Sequence, residues 1–211
     1  MKGKLLFGVL GGTALLALAA SSEALANYEE PAYSSKRLSG SIELRAYPEL
    51  IAAQVEMDGH GKAAADNGFR ILAAYIFGKN KSRSKISMTV PVTESNSSEK
   101  IAMTVPVTTS NSKEKSVMRF YMPSRYSLES LPEALDKRIK FLTIPKCSYA
   151  VIRFSGSTSD ASFDAREAEL RKCLTSKGIK TSGNVLRAFY NPPWTLPFLR
   201  RNELWLQVEE S

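Results

Sequence analysis

The chain has 211 residues, with 29 Lys and Arg against 21 Asp and Glu, a formal net charge of +8 and one histidine. That length suits one domain behind a leader, and it buries a proper core without staples. A single histidine leaves His-based triads little to work with, and no Gly-x-Ser-x-Gly, His-Glu-x-x-His or phosphate-cradling glycine loop occurs.

Lys2 and Lys4 precede a run of apolar and small residues from Leu5 to Ala20, and Ala24-Leu25-Ala26 supplies a small-x-small cleavage pattern. The run is shorter than the roughly 20 residues of a spanning helix. Residues 1–26 are therefore expected to be a cleaved signal peptide, and 27–211 a single exported domain, periplasmic or secreted. Without the leader, 27 basic and 20 acidic residues remain, a net charge of +7. This surplus suits an anionic ligand or peripheral contact with a membrane. Nucleic acid is not an expected partner, because export removes the chain from it and Lys and Arg are dispersed. The one short cluster, Lys79, Lys81, Arg83 and Lys85, reads as a solvated loop.

Along the mature chain a repeat is concealed. Ile42–Gly59 and Ile139–Gly156 place Ile, Pro and Gly at identical offsets, and Ala53, Val55 and Met57 match Ala150, Ile152 and Phe154. The period-two alternation marks strands with one buried face, so each segment reads as strand, proline corner, strand, glycine turn. A helix is expected after each. Over Lys62–Phe77, Ala65, Phe69, Leu72 and Ile76 form one apolar stripe, and Gly78 stops it. Over Ser162–Lys177, Phe163, Leu170 and Leu174 face inward, with Asp160 or Ser162 as cap and Gly178 as stop.

Lys85–Thr93 and Lys100–Thr108, KISMTVPVT and KIAMTVPVT, are near copies fifteen residues apart. Their alternation predicts strands with Met88 and Met103 on the apolar face, and Pro91 and Pro106 place each near an edge or bulge. Val117–Met122, Val185–Tyr190 and Glu203–Glu209 complete the strands. The fold class is α+β: duplicated ββαββ-type units forming a twisted, distorted antiparallel barrel or a large sheet, flanked by two main helices. Cys147 and Cys173 stay open between a disulfide, which an oxidising compartment permits, and buried thiols.

Several segments carry a resemblance: the EEPAY opening at Glu29, GFRILAAYIFGKNKSRSKISMTVPVT, MPSRYSLESLPEALDKRI at Met122–Ile139, and YNPPWTLPFLRRNELWLQV at Tyr190–Val208. In this order they cover nearly all of the mature chain, which resembles the SOUL haem-binding family. The resemblance implies a duplicated α+β fold and non-covalent binding of haem or another porphyrin, for transport, buffering or sequestration in the cell envelope. It also implies a site between the first helix and the loop before the final strand. On the helix, Phe69, Ala73 and Phe77 share a flank with Arg70 beside them; the loop offers Trp194 and Phe198, then Arg200. An apolar groove with cations at its rim is what a flat macrocycle with two propionates requires.

Structural readings compete with this. Phe69 on an apolar stripe packs inward by the general rule, Trp194 and Phe198 serve equally to cover a sheet edge, and Arg200 and Arg201 have Glu203 or another carboxylate to pair with. His60, between Gly59 and Gly61, is the one candidate axial ligand for iron, yet a turn histidine is ordinarily solvated. Some members of the family carry a histidine where this chain has Ala46, which speaks against His-ligated iron. No catalytic constellation emerges, so the chain is read as a binding protein. The alternatives are an interaction module that docks its apolar loop on a membrane or protein partner, and an enzyme acting on a tetrapyrrole-like small molecule.

Overall fold

The computed structural model describes residues 28–59, 61–82, 98–111 and 116–209. His60 and the first near copy, Lys85–Thr93, lie outside the described residues. In chain order the elements are β1 (Ser34–Ser39), β2 (Ile42–Tyr47), β3 (Leu50–Met57), α1 (Lys62–Ile76), β4 (Asn80–Lys81), β5 (Val107–Asn111), β6 (Ser116–Tyr121), β7 (Glu133–Ala134), β8 (Lys140–Ile144), β9 (Cys147–Phe154), α2 (Asp160–Ser176), β10 (Thr181–Phe189) and β11 (Asn202–Val208). Nine strands form one antiparallel sheet in the order β1-β2-β9-β11-β10-β5-β6-β3-β8, and β4 pairs with β7 apart from it. The sheet is open, with β1 and β8 as its edges; of the two expected arrangements it is the large sheet and not the barrel.

The repeat explains this order. β2 pairs with β9, Tyr47 opposite Cys147, while β3 pairs with β8, Leu50 opposite Ile144. Tyr47 and Ile144 are equivalent positions of the repeat, as are Leu50 and Cys147, so the two pairings share one register. Each strand–corner–strand arm gives one strand to each half of the sheet, and Pro48 and Pro145 make the crossings.

Both helices lie on the same face. Ala53, Val55, Met57, Met118 and Phe120 pack beneath Ile71, Leu72, Tyr75 and Ile76 of α1. Ala150, Ile152, Leu204 and Leu206 pack beneath Phe163, Leu170 and Leu174 of α2. The opposite face buries a third core, Tyr47, Ala52, Tyr121, Tyr149, Ala188 and Trp205, drawn from strands of both halves. Three strand spacings separate β6 from β11, about 14 Å in a flat sheet, yet the Tyr121 and Trp205 rings lie 6.4 Å apart. The sheet curls to bring them together.

Gly68 lets α1 settle onto β3. A Cβ there would lie 3.0 Å from Cγ and Sδ of Met57 and 3.5 Å from Val55. Overpacking of such a contact costs about 1–3 kcal/mol, and Gly68→Leu is expected to lower stability by that amount in urea unfolding. An unchanged midpoint would mean the helix rides on other contacts.

Two local expectations are corrected. The cap of α2 is Ser159, whose hydroxyl accepts from the Ser162 amide at 3.4 Å, while Asp160 in the first turn pairs with Arg187 at 2.5 Å. Lys100–Thr108 is not a continuous strand: β5 begins only at Val107, after a cis Val105–Pro106 bond. Pro106 has no N–H to give a ladder. The preceding residues are held instead by Ile101 N–H donating to the Ile76 carbonyl, Val105 N–H donating to the Glu29 carbonyl, and the Thr104 hydroxyl donating to the Tyr121 carbonyl. Ile101 and Met103 reach the α1 core as expected, but Val105 enters the core on the other face.

Candidate functional site

On α1, Phe69, Ala73 and Phe77 follow one another at spacings of four and so share a flank. Phe69 is 39% exposed and Phe77 63%, with Ala73 half-buried between them. The Phe69 ring leans on Phe120 of β6, 5.4 Å between centroids. Phe120 stands opposite Val107, Val107 opposite Phe189, and Phe189 opposite Asn202, the first residue after the loop that joins β10 to β11. This row runs along the helix-bearing face from α1 to α2, where Phe189 meets Phe163 edge-on at 5.7 Å.

The loop itself holds its apolar side chains outward. Trp194 is 82% exposed and Phe198 69%. Its shape comes from main-chain bonds: Thr195 N–H to the Pro192 carbonyl, Leu199 N–H to Leu196, Arg200 N–H to Pro197, and Gly156 N–H to Pro197. Arg200 clamps it further, donating to the Thr195 carbonyl at 2.7 Å and the Pro193 carbonyl at 2.9 Å. Arg70 is exposed, and its guanidinium donates to Asn67 Oδ1 at 3.0 Å. Among the described residues, Phe69, Phe77, Trp194 and Phe198 are the only exposed Phe and Trp side chains. The structure thus displays both aromatic pairs, while Arg200 organises the loop.

The opposite face carries a buried charge cluster. Glu203 is fully buried and accepts from five donors: Arg45 twice, at 2.7 and 3.0 Å, Arg201 Nε at 2.9 Å, Tyr190 at 2.7 Å and Trp205 Nε1 at 2.8 Å. Arg201 also forms a two-pronged pair with Glu30 at 2.7 and 2.9 Å and lies over the Tyr190 ring, 3.6 Å from its centroid. Arg45 lies over Tyr33 and reaches Glu43. Burial pushes the Glu203 carboxyl up, but the Arg45 hydrogen bonds, the charges of Arg45 and Arg201, and the Tyr190 hydroxyl outweigh it and hold the group below the usual glutamate value. The expected Arg201–Glu203 pairing is present. What the sequence did not disclose is Arg45 as the main partner, joining the EEPAY and RRNELW segments. A carboxylate so saturated is a fastener.

Cys147 lies in the core on this face and Cys173 packs against the α2 core on the other, so the sheet separates them and neither is in a disulfide. Among the described residues no group of three or more His, Cys, Asp or Glu is arranged to hold a metal ion.

The model of the SOUL heme-binding protein family matches residues 28–98 and 93–207, and the two matches meet between the near copies KISMTVPVT and KIAMTVPVT. A comparison with curated proteins returned no match. Solved structures similar in fold include the C-terminal domain of EcmrR, with a TM-score of 0.55 and 13% identity over 85% of this chain and 99% of that one. An uncharacterised conserved protein from Listeria innocua has a TM-score of 0.53 and 15% identity over 80% and 92%. A hydrolase from Listeria innocua has a TM-score of 0.53 and 13% identity over 82% and 94%. At these identities the likeness concerns the fold alone.

Proposed function

The chain belongs to the SOUL haem-binding protein family, and from that premise we propose that it binds haem or a related porphyrin non-covalently between the α1 flank and the 190–201 loop. The observation that carries the reading is the exposure of Phe69, Phe77, Trp194 and Phe198, the same four aromatics that the family resemblance singles out. Apolar rings left in water mark a surface that gains from being covered.

Haem supplies a flat apolar macrocycle, two anionic propionates and an iron with open axial positions. Phe69 and Phe77 would lie along one side of the macrocycle, Trp194 and Phe198 along the other. Arg70 keeps guanidinium donors beyond its bond to Asn67 and suits a propionate. Arg200 acts through the loop, by keeping the Pro193 and Thr195 carbonyls in place. His60 lies outside the described residues, and the reading needs no protein ligand to iron. Binding is favoured over catalysis because Glu203, the one fully buried carboxylate among the described residues, is occupied by its donors and has no capacity left as a base. Residues 1–26 are proposed to be removed on export, leaving a carrier or buffer of tetrapyrrole in the periplasm or outside the cell.

Hemin titration tests the reading. A saturable Soret shift at one equivalent, with a dissociation constant in the micromolar range or below, is expected; a linear, unsaturable spectrum would overturn it. Arg70→Ala is expected to weaken hemin binding by up to about fivefold, since an exposed ion pair contributes about 0.2–1 kcal/mol. The same variant should bind mesoporphyrin dimethyl ester, which lacks the charges, as the wild type does. An equal loss for both ligands would remove Arg70 from the propionate role.

A further inference from the structure

Apart from Phe69, the large apolar side chains exposed among the described residues fall on three segments: the end of α1 with Phe77, the 122–139 connection with Leu135, and the 190–201 loop with Trp194, Leu196 and Phe198. The register places these segments at one end of the molecule. Ala53, Phe120, Val107, Phe189 and Asn202 stand in a row across β3, β6, β5, β10 and β11. Beyond that row, on one side, the 122–139 connection leaves β6 and the 190–201 loop joins β10 to β11. The end of α1 is tied to the same side by Ile101 N–H on the Ile76 carbonyl, and by the Tyr75 hydroxyl donating to the Pro132 carbonyl at 2.9 Å. Asn80 opposite Ala134 then sets Leu135 close to the α1 terminus.

One further feature favours a lipid surface as what covers this end. Exposed Lys79, Lys81 and Lys137 flank Phe77 and Leu135; Asp136 is paired with Arg138 and Glu133 stands opposite Lys81, so the local balance stays positive, on a mature chain of net charge +7. Trp, Phe and Leu held out by a hydrogen-bonded loop, with lysines beside them, match an anionic headgroup layer over an acyl boundary. We infer that the protein docks by this end on an anionic phospholipid surface, with Trp194 and Phe198 entering the acyl boundary. No helix among the described residues is long and apolar enough to cross a membrane, so the described fold makes this contact from the surface.

The two tryptophans make the test direct, because Trp194 is 82% exposed and Trp205 is 1% exposed in the core. The mature chain, residues 27–211, is mixed, without porphyrin, with vesicles of phosphatidylcholine and phosphatidylglycerol, some brominated at the acyl chain. The exposed component of tryptophan emission is expected to shift to the blue and to be quenched by the brominated lipid. It should respond more with more phosphatidylglycerol and less with added salt. W194A/F198A is expected to lose on the order of a hundredfold in vesicle partitioning, each side chain representing roughly a tenfold factor even if only half-buried. Trp194 emission that stays accessible to iodide on vesicles overturns the inference, and so does vesicle binding that the double variant leaves intact. Hemin titration in the absence of lipid reads the tetrapyrrole proposal separately, so failure of one is distinguishable from failure of the other.

Discussion

Glu203→Gln is expected to destabilise the fold by about 3–5 kcal/mol, the usual cost of removing one partner from a buried ion pair. That is a large share of the roughly 5–15 kcal/mol that holds a domain together. The glutamine keeps the shape of the side chain and still accepts from Tyr190 and Trp205. It leaves the Arg45 guanidinium, 2% exposed, with Glu43 as its remaining carboxylate and removes one of the two that Arg201 holds. Glu203→Ala should cost no less, since it adds a cavity to the unpaired charge. Replacing Arg45 and Glu203 together by Met and Leu should recover much of the loss. If the double variant is as unstable as the single one, the cluster matters through packing and not through charge.

The same carboxylate gives a pH signature. Its folded pKa lies below the usual glutamate value, so its contribution is fully present above the unfolded pKa of about 4.3 and is lost as pH falls through the lower folded value. Wild type and Glu203→Gln should therefore differ most near neutrality and converge in acid, as thermal unfolding between neutral pH and pH 2 would record. Parallel curves over that range would contradict the assignment.

The second large effect is expected on ligand binding. Trp194→Ala with Phe198→Ala removes two side chains that are 82% and 69% exposed and that support nothing else in the core. Their joint loss should weaken hemin binding by about 2–3 kcal/mol, on the order of a hundredfold, while the unfolding midpoint stays within error of the wild type. Phe69→Ala should also weaken binding but lower stability, because its ring leans on Phe120. Stability and affinity thus separate in the loop and move together on the helix. A loop variant that unfolds early but binds hemin normally would make the loop a structural cover and not a ligand contact.

How far the sequence reached depends on which physical constraint leaves a mark on residue types. A corner needs proline and a tight turn needs glycine, so the repeat of Ile42–Gly59 in Ile139–Gly156 was readable, and with it the paired register of β2 with β9 and β3 with β8. β1, SSKRLS, was not foreseen: it is an exposed edge strand with no alternation to detect. KIAMTVPVT misled because its alternation suggests one strand with one buried face, whereas the residues before Val107 are not in a strand and escape the alternation, so Met103 joins one core and Val105 the other. Around Arg45, alternation gives no sign that a strand charge faces a covered surface instead of water. In the candidate site, the family resemblance pointed to the loop that carries Trp194 and Phe198, but only the fold distinguishes displayed rings from rings covering an edge. Arg200 could not be assigned from sequence, since its acceptors are main-chain carbonyls of residues 193 and 195.

The proposed location of the tetrapyrrole is most directly tested by adding diamagnetic zinc protoporphyrin to isotopically labelled protein and following ring-current shifts by NMR. The largest shifts are expected at Phe69, Ala73, Phe77, the Trp194 indole and Phe198, with Trp205 and its neighbours Tyr47 and Tyr149 unmoved. Shifts concentrated on the Trp205 face, with the α1 flank and the Trp194 loop unchanged, would contradict binding between helix and loop.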